Sequence, residues 1–291
     1  MKIINIQLTD LKPAEKFLLS FPLHPELYLE LGEKFAPLPL LIINRQNEIV
    51  SGIDFFRYLE SQSISEIPVV QIDVPDKDAL FLAYNWKDRF TGLNLYEKLV
   101  FIKRIIPLAE PPEIYARTGL DISINPDLLK KLDMLLSTVF RDALIAEHID
   151  IKTGLKLCEF RPDDCETVLR LFVREPFSSS HRLKILEMAE EIIFRDKCPL
   201  ADIFEKLRID EALETERPQK KIIDALFTYR YPVYTEAEEN WQKEIKSLNL
   251  PDNVRVTHFP FFEKKQVEVT LQVKDTGELK ELLEKITAKR S

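Results

Sequence analysis

Few residues of this chain are spaced for chemistry. The four histidines, His24, His148, His181 and His258, are scattered, with no HxxxH or carboxylate-spaced pair. A metal centre is therefore not expected. The three cysteines, Cys158, Cys165 and Cys198, lack CxxC spacing. That excludes a zinc ribbon or a disulfide framework and fits small hydrophobes in a reducing cytoplasm. Ser178-Ser179-Ser180 has no nucleophile-elbow frame around it and reads as a helix N-cap. Six glycines in 291 residues leave no Gly-rich loop to cradle a phosphate. Trp86 and Phe90 could stack a base, but packing is the commoner use of such a pair. The remaining candidates are polar residues in one helical stretch. Lys103, Arg104, Arg117, Asn125, Lys130 and Lys131 are the set that could touch duplex DNA. Against that set stands the ordinary alternative of solvated side chains on a helical bundle.

The elements that would position these residues can be read from periodicity. Pro39–Ile43, Glu48–Gly52 and Ile67–Val74 have strand length and composition, and Phe55–Leu59 and Asp76–Tyr84 carry apolar residues at helical spacing. From Leu95 to about Leu213 the pattern is helical. Within it, Glu113–Arg117, the stretch Gly119–Ser123 and Pro126–Leu136 predict a helix, a turn and a second helix opened by Asn125-Pro126-Asp127. Ala116 in the first helix and Gly119 in the turn suit a helix-turn-helix, although the gap is one residue shorter than the commonest spacing. Glu214–Gln219 is polar and bears a proline, marking a boundary. Beyond it come an acidic helix over Thr235–Leu248, two alternating segments at Val254–Phe259 and Gln266–Val273, and a final helix carrying Leu279, Leu282, Leu283 and Ile286. That much apolar surface on so small a segment predicts a homodimer interface or packing on the helical part. Met1–Gln7 has no long apolar core, so a secretory leader is not expected, and no run approaches a membrane span.

Charge weighs against nucleic acid. The chain carries 41 basic and 49 acidic residues, net −8. Residues 1–95 contribute net −4, 96–216 net −6 and 217–291 net +2. A DNA contact would need a local basic patch held against a repulsive background.

Taken in order, Pro39–Ile43, Ile49-Val50-Ser51-Gly52 and Ile67-Pro68-Val69-Val70 resemble the N-terminal fold of the ParB family of chromosome- and plasmid-partition proteins, a fold shared with sulfiredoxin. Asn85, Arg89, Leu93-Asn94 and Glu97 resemble the junction where that domain meets its DNA-binding helices, and the likeness covers roughly residues 38–160. The resemblance implies an α+β chain in three parts. These are a small mixed-sheet domain over 1–94, an all-helical helix-turn-helix domain over 95–216, and a C-terminal strand-strand-helix domain over 217–291 that could dimerise. It implies a cytoplasmic, homodimeric DNA-binding protein of partition or transcriptional regulation, without a membrane. It also implies a CTP and magnesium site touching Ser51, Gly52, Asn85 and Arg89. The sequence departs from the family there. The family follows its glycine with an acid or histidine and two arginines, whereas Gly52 is followed by Ile53, Asp54 and Phe55. A carboxylate where a guanidinium should grip a triphosphate repels it. The junction is also shifted, with Asp88 where the family has arginine and Arg89 one position later. No cofactor, no catalytic residue and no efficient nucleotide hydrolysis are therefore expected. The alternative is a degenerate ParB-fold scaffold that binds a protein partner and neither DNA nor CTP. That alternative gains if the basic side chains of the middle region lie beneath acidic neighbours.

Overall fold

A computed structural model describes residues 1–21, 41–62, 64–259, 262–263, 266–277 and 279–280. His24, the Pro39-Leu40 start of the first expected strand, the Lys264-Lys265 and Lys289-Arg290 pairs, and Leu282, Leu283 and Ile286 of the last expected helix lie outside the described residues. The chain divides into two compact units, Met1–Ile223 and Asp224–Ser291. The fold class is the expected α+β: a five-stranded mixed sheet, a long run of helices and a small two-stranded C-terminal sheet.

The sheet of the first unit takes β1 (Lys2–Gln7), β2 (Lys12–Pro13), β3 (Ile42–Ile43), β4 (Glu48–Ser51) and β5 (Glu66–Gln71) in the order β1-β5-β3-β4-β2. β1 pairs antiparallel with β5, β3 parallel with β5 and antiparallel with β4, and β2 parallel with β4. Besides the two-residue β2, sequence reading missed β1. It is an edge strand with Ile3 exposed, while Ile4 and Ile6 turn towards Leu41, Ile43, Ile49 and Val69 of the core. One exposed face and a short length weaken the apolar signal. Helix α1 (Ile53–Ser61) lays Phe56 and Leu59 on the same core.

Helix α2 (Asp76–Phe90) buries Ala79, Leu80, Phe81, Ala83 and Tyr84, packing on β4, on α3 (Leu95–Ile105) and on α4 (Pro111–Thr118). α3 opens with a capping box: Asn94 accepts the Glu97 N–H and Glu97 accepts the Asn94 N–H, two orphan donors satisfied together. Next come α5 (Pro126–Leu135), α6 (Thr138–Ile145), α7 (Ile151–Leu157), α8 (Pro162–Arg174), α9 (Ser179–Asp196), α10 (Leu200–Lys206) and α11 (Ile209–Leu213). α5 packs on α6 and α7, α8 on α6 and α10, and α7 on α9. Ser178 caps α9, its hydroxyl accepting the His181 N–H at 3.3 Å. Helix α12 spans Pro218–Arg230.

In the second unit, α13 (Pro232–Ser247) precedes an antiparallel pair, β6 (Val254–His258) and β7 (Val267–Leu271). The His258 ring stacks on Phe262 with centroids 3.9 Å apart, and its Nε2 lies 2.5 Å from a Glu238 carboxylate oxygen. Val267 and Val269 of β7 are about half exposed.

Candidate interaction sites

The first candidate centres on Gly52. β4 ends at Ser51, and Gly52 at φ 94° turns the chain into α1, a left-handed conformation that favours glycine. Ser51, Gly52, Asp54, Trp86, Lys87 and Phe90 border a cavity of about 30 Å3. Asp54 is buried and accepts the Ser20 hydroxyl at 2.5 Å. The Trp86 and Phe90 rings lie 4.8 Å apart beside it. Of the four residues expected to touch a nucleotide, Ser51 and Gly52 meet here. Asn85 instead donates to the Arg117 carbonyl at 3.2 Å, and Arg89 is exposed, neither of them bordering this cavity. Beside Gly52 the chain therefore presents a carboxylate where the resemblance implies a phosphate-gripping guanidinium. A buried carboxylate at the first turn of α1 opposes an anion there.

The same neighbourhood holds a buried polar hub that sequence reading saw only as part of a motif. Glu97 is 3% exposed. Its carboxylate accepts the Phe21 N–H at 2.7 Å and the Asn94 N–H at 3.1 Å, and it faces the Lys87 ammonium at 3.3 Å. The Asn94 side chain returns a bond to the Phe21 carbonyl at 2.8 Å. Burial pushes the Glu97 carboxyl above its ordinary range, against the pull of Lys87 and of the two N–H groups. The hub fastens the chain at Phe21 to the start of α3.

The second candidate is the α4–turn–α5 segment. Gly119 at φ 65° ends α4 and Asn125 caps α5, accepting the Leu128 N–H at 2.9 Å. The Tyr115 hydroxyl ties the turn to α4 by accepting the Ile124 N–H at 2.6 Å. These elements lie where the spacing placed them. Four of the five basic side chains, however, are already engaged. Lys103 pairs with Asp133 at 2.7 Å. Lys131 pairs with Glu159 at 2.8 Å and Asp127 at 3.0 Å and donates to the Leu155 carbonyl. Arg117 lies over the Phe81 ring at 3.9 Å and pairs with Asp78 at 2.7 Å and Glu113 at 3.3 Å. Arg104 turns inward and donates to the Leu18 carbonyl, and burial lowers its pKa. Lys130 is exposed, with no ion pair among the described residues. Residues 95–136 hold six lysines and arginines against six carboxylates, net zero. A phosphate approaching this face exchanges partners with acids already in place and meets no excess positive charge.

A third feature had no sequence signal. Between α6, α8, α10 and α11 runs a groove of about 810 Å3. Its apolar surface comes from Val139, Ala143, Leu169, Val173, Phe204 and Leu213. Val139 is 54% exposed and Val173 47%. The edge carries Asp142, Glu166, Glu205 and Asp210 against Arg170 and Arg174, and Arg174 is itself engaged by Asp210 and Glu214. Each helix alone looks like an ordinary amphipathic segment, and only their arrangement makes the groove.

Among the described residues no helix is long and apolar enough to cross a membrane, and no cluster of His, Cys, Asp or Glu is arranged to hold a metal ion. No family model matches the chain. No curated protein matches it. Among solved structures, the chain is similar to the C2221 form of a Pnob8-like ParB-N domain, with 15% identical residues, 77% of this chain and 93% of that chain covered, and a TM-score of 0.40.

Proposed function

We propose that this chain works by binding another protein, as a non-catalytic scaffold that neither reads DNA nor hydrolyses nucleotide. The observation that carries this reading is the engagement of its basic side chains. Lys103, Lys131 and Arg117 are held by the chain's own carboxylates, and Arg104 points into the fold. The Gly52 cavity, with Asp54 where a phosphate-gripping arginine would stand, supports the absence of nucleotide chemistry. The three-part domain division and a homodimer through the half-exposed Val267 and Val269 of β7 belong to the same proposal.

A second reading, duplex DNA binding in partition or transcriptional control, is favoured by one observation. The glycine-ended α4 and the Asn125-capped α5 leave Lys130 exposed on the second helix. The exposed Lys103–Asp133 pair is worth only about 0–1 kcal/mol and yields readily to a phosphate. The two readings separate on purification at low salt followed by a mobility-shift assay. The scaffold reading expects a 260/280 nm absorbance ratio typical of pure protein and no shifted duplex. Co-purifying nucleic acid, with a salt-sensitive shift of duplex fragments, establishes the second reading.

A further inference from the structure

We propose that the groove between α6, α8, α10 and α11 is a docking site for a basic amphipathic helix of a partner protein. This rests on the scaffold reading and names the class of partner.

Three features of the groove lead there. Its volume of about 810 Å3 is at the upper end for a ligand pocket, yet it is an open trough. Three apolar ridges line it, each setting one exposed or half-exposed position, Val139, Val173 or Leu213, four residues from a buried one on the same helix, Ala143, Leu169 or Ile209. Such ridges accept the i, i+4, i+7 side chains of another helix. Two of those residues, Val139 and Val173, expose about half their surface, where a core position would be covered. The edge decides the sign of the partner. Asp142, Glu166, Glu205 and Asp210 outnumber Arg170 and Arg174, and with the Arg174–Asp210 pair cancelling within itself three carboxylates remain against one guanidinium. An acidic edge around an apolar floor complements lysines and arginines flanking an apolar stripe. It repels nucleic acid and acidic peptides.

The test uses the full chain and a designed probe, a fluorescein-labelled four-turn peptide with leucines along one face and lysines elsewhere. A companion peptide carries glutamates in place of the lysines. Anisotropy titration is expected to show saturable binding of the basic probe at micromolar concentration and none of the acidic one. The double variant Val139→Asp/Val173→Asp changes only exposed positions and adds negative charge to the groove. Docking predicts at least tenfold weaker binding to it. General attraction of a cationic peptide to an acidic protein predicts equal or tighter binding, and that result overturns the proposal. So does the absence of saturable binding up to millimolar probe. Self-association of the wild-type chain that the same double variant abolishes also overturns it, by assigning the groove to a second copy. Retention of duplex DNA would sink the scaffold reading through a separate measurement and leaves the outcome of this titration intact.

Discussion

Replacing Glu97 tests whether the polar hub at the start of α3 organises the first unit. Glu97→Ala removes the acceptor for the Phe21 and Asn94 N–H groups and leaves the Lys87 ammonium, 14% exposed, facing a void. Each buried donor without an acceptor costs about 1–3 kcal/mol. Breaking a buried ion pair by removing one partner costs about 3–5 kcal/mol in all, and that is the expected loss. For a unit of this size it lowers the melting temperature by roughly 6–20 °C. Glu97→Gln keeps the shape and one carbonyl acceptor, so its loss is smaller, about 1–2 kcal/mol. The two variants also differ in pH dependence. Because burial raises the Glu97 carboxyl, the folded chain holds that proton more tightly than the unfolded chain does. The contribution is fully present below the unfolded pKa and is lost as pH rises through the folded one. The deficit of Glu97→Gln against wild type therefore narrows as pH rises through the folded pKa. Urea unfolding across that range, followed by tryptophan fluorescence, measures both effects. An alanine deficit below about 1 kcal/mol, the range of an exposed pair, or a glutamine deficit that widens with pH, refutes the reasoning.

Gly154→Ala places a Cβ 2.8 Å from Leu135 Cδ2, where α7 meets α5; overpacking of about 1–3 kcal/mol less the roughly 1 kcal/mol gained in helix propensity leaves a net loss of about 0–2 kcal/mol. Gly119→Ala meets nothing within 4 Å but holds φ 65°, so thermal melts should show only the backbone cost, about 1–2 kcal/mol. Burial pushes the Cys165 thiol up to about 12 and Cys158 up to about 11. Ellman's reagent at pH 8 should therefore titrate no more than one thiol before denaturant is added and all three afterwards; rapid reaction of two or more contradicts this. The Asn44 amide at 2.6 Å, followed by Lys16 at 3.0 Å, holds Glu48 below its ordinary range. Its contribution is present above the unfolded pKa and fades as pH falls through the folded one, and Glu48→Gln should remove that part of the acid sensitivity.

Much of the architecture could be read locally. Asn125-Pro126-Asp127 announced α5, Gly52 marked the end of β4, and the Val254 and Val267 segments alternated as strands do. Each is a near-neighbour signal of capping, turning or alternation. β1 escaped because its partners lie in β5, 59 to 69 residues later, and its apolar face is only two isoleucines wide. The fate of the basic residues was equally hidden. Lys131 meets Glu159 twenty-eight positions away, and Arg104 meets Leu18 eighty-six positions back. The groove is the extreme case, assembled from four helices whose individual sequences mark no opening. Spacing reports which residues share a helix face, and tertiary packing decides which of them stay available.

The most direct test of protein binding over DNA binding is an unbiased selection of genomic duplex fragments at low salt, run on the wild-type chain and on Lys103→Ala/Lys130→Ala/Lys131→Ala. With residues 95–136 carrying no net charge, both chains should retain nothing above background. Enriched fragments that the wild type holds, that salt releases and that the triple variant loses would contradict the scaffold reading and assign this face to DNA.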